Sequence, residues 1–207
     1  MLSSSVQQDI KEGSVYETAL SDRDLASLSV EHGIAAIREL HLDFSECTTL
    51  EPLRRMTGVE SLALVKVPEG ADLEALGALS NLRELSFSRS PALDNLSFLQ
   101  NGLRKLECLA LLNCSNLVTF QGLEGASAVT DLQVDFSEKL LDISAVSTLR
   151  NLESLVIRNA PRLIDISPIL QLEKLNFINF DGCPRIPEHQ IEQLRTFFPA
   201  ATILGLP

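Results

Sequence analysis

The chain has no apolar run long enough to cross a bilayer, and no cluster of lysine and arginine. It also lacks a glycine-rich phosphate loop, an HExxH motif and a CxxC pair. Each absence removes a class of function. Without an apolar run, no membrane-spanning helix is expected. The first residues, MLSSSVQQDIKEGS, do not place a basic stretch before an apolar core, so no secretory signal is expected. The cysteines at 47, 108, 114 and 183 have no pairing pattern, and a chain of 207 residues does not need a disulfide framework. They read as free thiols in a reducing compartment, and the expected location is the cytoplasm, with a secreted effector as the alternative. Against 28 acidic residues stand 17 lysines and arginines, for a net charge of −11. Phosphate backbones and anionic lipid need clustered cations, so neither nucleic acid nor membrane is an expected partner. A basic protein is compatible with that charge. Catalysis is not expected either. His32, His41 and His189 are too scattered to assemble one site, and a nucleophile needs a base within hydrogen-bond reach. Neither a metal nor a cofactor is expected: Asp131 and Asp135 fall on one repeat of the pattern described next and Asp181 two repeats later, so spread strands would have to converge for them to hold a metal.

What the chain does have is a period. With Leu106 as position 1, apolar residues fall at positions 1, 4, 6 and 12, with Cys114 at 9. The same frame fits Leu82, Leu85, Phe87, Ser90 and Leu93, and again Val129, Leu132, Val134, Ser137 and Leu140. It fits Leu152, Leu155, Ile157, Ala160 and Leu163, and finally Leu175, Ile178, Phe180, Cys183 and Ile186. Copies with weaker second halves start at Ile37 and Val59. Starts at 37, 59, 82, 106, 129, 152 and 175 are 22 to 24 residues apart.

The positions have physical meaning. Residues two apart, at positions 4 and 6, point to one face of a short strand. Position 9 is small wherever the motif is complete, as expected where the chain turns inward. Apolar residues then recur every three, as in Leu140, Ile143, Val146 and Leu149, which suits a 3₁₀ or short helical return. Ser144, and Ser167 before Pro168, stand where such a helix would start. One repeat cannot bury its own apolar face, whereas a stack of seven makes a continuous core.

Across residues 37–186 this pattern resembles the leucine-rich repeat family, and the second halves are similar to its shorter bacterial and SDS22-like classes. Position 9 departs from the family's asparagine, which puts an asparagine ladder in doubt. The resemblance implies an α/β solenoid, a curved right-handed superhelix with a parallel concave sheet and a 3₁₀ or irregular convex side. It also implies protein binding along the concave face.

The expected organisation is one domain over 1–207: an N-terminal cap over 1–36, seven repeats over 37–186 and a C-terminal cap over 187–207. Val15, Thr18 and Leu20 read as a degenerate repeat start, followed by a helix capped within Ser21 to Asp24. At the other end Pro187 opens a helix carrying Ile191, Leu194 and Phe198, Pro199 stops it, and a last strand lies within Ala201 to Leu204. About eight parallel strands follow from this count. Positions 3, 5 and 7 face out on the concave side. Phe44, Leu112, Phe136, Val156 and Phe177 would then be apolar groups facing water, unless position 8 turns inward and makes Phe44 and Phe136 an internal stack. The expected binding region is C-terminal: Leu112, Asp131, Gln133, Asp135, Phe136, Val156, Arg158, Phe177, Asn179 and Asp181. The carboxylates there would steer a cationic partner. A stand-alone binding module, monomeric when free, is the expected product. An inhibitor or immunity-type protein, a bacterial effector and a scaffold or phosphatase regulator all fit it.

Overall fold

Leu40, Leu62, Leu85, Leu109, Leu132, Leu155 and Ile178 fall into one register row, and Leu42, Leu64, Phe87, Leu111, Val134 and Ile157 into another. None of them exposes more than 2% of its surface. These rows are positions 4 and 6 of successive repeats, stacked to form the floor of the core. The computed structural model describes residues 14–15, 37–45, 48–101 and 103–205. Its strands are β1 (Ser14–Val15), β2 (Glu39–Asp43), β3 (Ser61–Val65), β4 (Glu84–Ser88), β5 (Cys108–Leu112), β6 (Asp131–Asp135), β7 (Ser154–Arg158), β8 (Phe177–Asn179) and β9 (Thr202–Leu204). All run parallel in one sheet, in sequence order. The fold is the leucine-rich repeat solenoid.

The sheet alternates between buried and half-exposed residues along each strand, because only one face is covered. The return segments supply that cover. They are 3₁₀ turns at Glu51–Arg55, Leu73–Ala78, Ser97–Asn101, Leu123–Gly125, Ser144–Thr148 and Ser167–Gln171. Their inward side chains, among them Leu99, Leu123, Val146 and Ile169, are fully buried. Phe98 adds an edge-to-face contact with Phe87 at 5.7 Å between ring centroids.

Two details differ from the sequence reading. The 3₁₀ starts are held by Asp142 and Asp165, whose carboxylates accept from Ser144 N at 2.8 Å and Ser167 N at 2.9 Å. The serines expected to cap are instead the first helical residues. At the N-terminus Val15 pairs with Leu40, so it holds position 4 of the frame and not position 1. The rest of the expected cap, with Thr18, Leu20, Ser21 to Asp24 and His32, lies outside the described residues, as does Cys47. At position 9, where the sequence departs from asparagine, Val67 N donates to the buried Ser90 Oγ at 3.1 Å.

The last repeat is closed by helix α1 (Glu188–Phe197), which follows Pro187 and buries Ile191 and Leu194, with Phe198 beneath its end. β9 then pairs with β8.

Candidate binding face

The turn that ends each strand decides which side chains reach the open face. Lys66, Arg89, Asn113, Phe136 and Asn159, all at position 8, have φ between 50° and 59°, and Gly182 has φ 73°. This left-handed residue bends the chain so that position 9 enters the core: Ser90, Cys114, Ser137 and Ala160 are fully buried. Asparagine and glycine tolerate the conformation; a phenylalanine there is strained. Phe136 is consequently thrown outward and is 49% exposed. Phe44 has the same repeat position but is not left-handed, and it is buried at 5%. The expectation that Phe44 faces water is therefore corrected. An internal stack of Phe44 and Phe136 is excluded too, since one is inside and the other outside.

Strands β5 to β8 bring the predicted residues onto one region. Asp131, Ser154 and Phe177 share a register row, as do Gln133, Val156 and Asn179, and Leu112, Asp135 and Arg158. Leu112, Gln133, Val156, Phe177 and Asn179 are half-buried, while Asp131 and Asp181 are exposed. Asn179 is committed locally: its Oδ1 accepts from Asp181 N at 2.9 Å.

Asp135 is the exception. Only 6% of it is exposed, and its carboxylate accepts from Arg158 Nη2 at 2.5 Å and from Asn159 Nδ2 at 2.8 Å. It is an enclosed, compensated charge and cannot steer an incoming cation. At positions 3 to 7 of this region the carboxylates outside an ion pair are Asp131, which accepts from Thr130 Oγ1 at 2.9 Å, and Asp181. Asn159 was missed in the sequence; an asparagine at the left-handed position, beside an acidic position 7 one repeat earlier, was the available sign.

All but one of the other cations of this face are engaged too. Arg38 pairs with Glu60 at 3.3 Å, Lys66 with Asp43 at 2.9 Å, and Arg83 with Glu107. Ser45 and Lys66 together hold the Asp43 carboxyl down at about 2. Among the described residues Arg89 is the one cation of positions 2 to 8 outside an ion pair. Near the middle of the sheet, Ser61, Glu84, Ser86, Cys108 and Ala110 line a depression of about 170 Å³. Cys108 is half-buried there, and burial first, then Asp131, Glu84 and Glu107, push its thiol pKa up. His41 sits three strand spacings away, roughly 14 Å at about 4.8 Å each. Among the described residues no group of three or more His, Cys, Asp and Glu is placed to hold a metal ion, and no helix is long and apolar enough to cross a membrane.

No protein-family model and no curated protein matches the chain. Solved structures do. An internalin (inlF) from Listeria monocytogenes superposes with a TM-score of 0.68 at 21% identity, covering 97% of this chain and 60% of the internalin chain. A second Listeria monocytogenes internalin (inlC2) gives 0.52 at 19% identity, covering 88% of each chain. The leucine-rich repeat domain of the type III effector XopL gives 0.61 at 20% identity, covering 79% of this chain and 57% of that one. This chain thus spans well under two thirds of the first and third of these, and the likeness is one of fold.

Proposed function

We propose that the protein is a non-catalytic binding module that takes a protein partner on the concave face, across β5 to β8, and that the partner is more basic than the chain. One observation carries the reading: every cation of this face but Arg89 is engaged in an ion pair, while Asp131 and Asp181 stay exposed beside the apolar Leu112, Phe136, Val156 and Phe177. Apolar groups of this kind anchor a complex, and unpaired carboxylates set its encounter rate. Within this class, an inhibitor or immunity-type protein that covers a cationic surface, acting in the cytoplasm as a free monomer, fits the small size and the charge of −11. An effector role is the second reading, favoured by the likeness to the XopL repeat domain, which is described as part of a type III effector.

The test starts with affinity capture from the native cell and mass spectrometry, followed by binding kinetics on the captured protein. Phe177→Ala is expected to weaken binding by about 2 kcal/mol or more, mainly through faster dissociation. Asp131→Lys with Asp181→Lys is expected to slow association and flatten its dependence on salt. Asp135→Lys is unsuitable, because it would break the buried clamp with Arg158 and Asn159. Parental affinity in both variants would place the site off the C-terminal half of the sheet.

A further inference from the structure

The depression near the middle of the sheet is a feature of its own. Ser61, Glu84, Ser86, Cys108 and Ala110 wall it above the buried Leu85, and it holds about 170 Å³. Pockets for small molecules run to roughly 300–1,000 Å³, so this one has room for a single long side chain. It exists because position 5 is small on three strands running, at Ala63, Ser86 and Ala110, with His41 and Gln133 on either side.

Its charge is of one sign. Strands β3 to β6 carry Glu84, Asp131 and Asp135 and no Lys, Arg or His. Glu84, Cys108 and Asp131 share a register row, so the two carboxylates stand on opposite sides of Cys108, each about 4.8 Å away across the sheet. Glu84 Oε2 accepts from Ser61 Oγ at 3.0 Å and Asp131 Oδ2 from Thr130 Oγ1 at 2.9 Å. Neither is in an ion pair, and each keeps its second oxygen free of a hydrogen bond among the described residues. The cations closest in sequence do not offset them. Arg83 is held by Glu107, and Arg89 lies past the far end of β4. Lys105, ahead of β5 with Arg104, donates to Asn81 Oδ1 at 2.8 Å. The thiol in the middle reports the same balance: after burial, Asp131, Glu84 and Glu107 raise the Cys108 pKa, and no cation opposes them.

We propose that this depression receives the side chain of a lysine presented by the protein partner. The inference rests on the concave face being a binding face for a basic protein, and it widens the contact from β5–β8 to β3. The methylene stem lies over Ala110 and Leu85 while the ammonium meets the carboxylates. Two acceptors on opposite sides suit an ammonium, whose three donors point apart. A guanidinium fork is matched instead to both oxygens of one carboxylate. An acidic side chain is repelled here, and an apolar knob would bury Glu84 without a counter-charge.

The probe is Nα-acetyl-lysine methylamide, compared with its norleucine and glutamate counterparts at constant ionic strength and followed by amide NMR spectra of the whole chain. The lysine compound is expected to shift the Ser61, Ser86, Cys108 and Ala110 amides saturably, and the other two to leave them in place. Glu84→Gln with Asp131→Asn is expected to weaken its binding about tenfold or more, since each removes a contact to a charged group. Ala110→Leu, which fills the depression from a half-exposed site, is expected to abolish the shifts. Ser86→Leu repeats that measurement if Ala110→Leu melts early. No saturable shift with the lysine compound, equal shifts with the norleucine compound, or a parental response in the filled or the neutralised variant would each overturn the inference. Those outcomes leave the wider concave-face reading standing, because Phe177→Ala on the captured partner decides it separately.

Discussion

Ser90 and Ser137 occupy the same repeat position, are equally buried, and differ in what their hydroxyls reach. Ser90 Oγ accepts from Val67 N at 3.1 Å and donates to Ser88 O at 3.0 Å, whereas Ser137 Oγ has no partner. Removing a buried acceptor strands its donor, so Ser90→Ala is expected to cost about 1–3 kcal/mol, while Ser137→Ala is expected to be neutral or stabilising. Urea denaturation of the two variants checks this, and equal losses would contradict it. The thiols are ranked by the same kind of local accounting. Burial pushes Cys114 up to about 11 and also raises Cys183, while Cys108 is raised from a half-buried site beside carboxylates. Since the thiolate is the nucleophile, all three are expected to label slowly at neutral pH, with Cys108 fastest and accelerating as pH rises. Maleimide labelling of native protein in a Cys47→Ser background measures the order. Cys114 or Cys183 reacting first would mean that position 9 is not internal.

At the scale of an element, the 3₁₀ turn Leu123–Gly125 is the shortest of the returns, and it approaches its neighbour backbone to backbone. Gly122, at φ 102°, would place a Cβ 2.2 Å from Leu96 O, and a Cβ on Gly125 would fall 2.5 Å from Leu99 O. No side chain can move aside there, because the obstacle is main chain. Gly122→Ala is therefore expected to cost about 3 kcal/mol. Gly70 is the control. It too is left-handed, at φ 80°, but a Cβ there meets nothing within 4 Å, so Gly70→Ala is expected to cost only about 1 kcal/mol of backbone strain. Thermal melts of the pair separate steric from conformational cost; equal values would mean that the turn relaxes.

Over the whole molecule, folding is linked to pH through carboxylates spread along the solenoid. Asp43 is held at about 2 by its bonds to Ser45 and Lys66. Asp142 is lowered chiefly by the Ser144 amide and Asp165 chiefly by the Ser167 side chain. All three titrate lower folded than unfolded, so the stability they contribute is present above the ordinary carboxylate value of 3.8 and is lost as pH falls below it. The melting temperature is expected to be level from neutral pH to about 5 and to fall steeply towards pH 2. Replacing the three by Asn should lower the melt at neutral pH and flatten that fall, as read by circular dichroism across the range. An unchanged acid slope would shift the cause to other groups.

The sequence by itself determined the period, the strands at positions 4 and 6, the small buried position 9 and the 3₁₀ returns. Each of these rests on one residue's own size or polarity, repeated at a fixed interval, and the core row from Leu40 to Ile178 follows directly from it. The location of the predicted face on adjacent strands followed from the same register. What only the tertiary structure decided depends on pairs and on backbone angles. Asp135 looks like a free concave carboxylate until Arg158 and Asn159, a full repeat later, close on it. Phe44 and Phe136 are one residue type at one repeat position, and the sign of φ sends one into the core and the other into water. Val118, Leu141 and Ile164 stand one residue after the apolar position 12, and only the structure shows them partly in water. Periodicity assigns a residue its place in the repeat; the neighbour one turn of the solenoid away decides what its side chain faces.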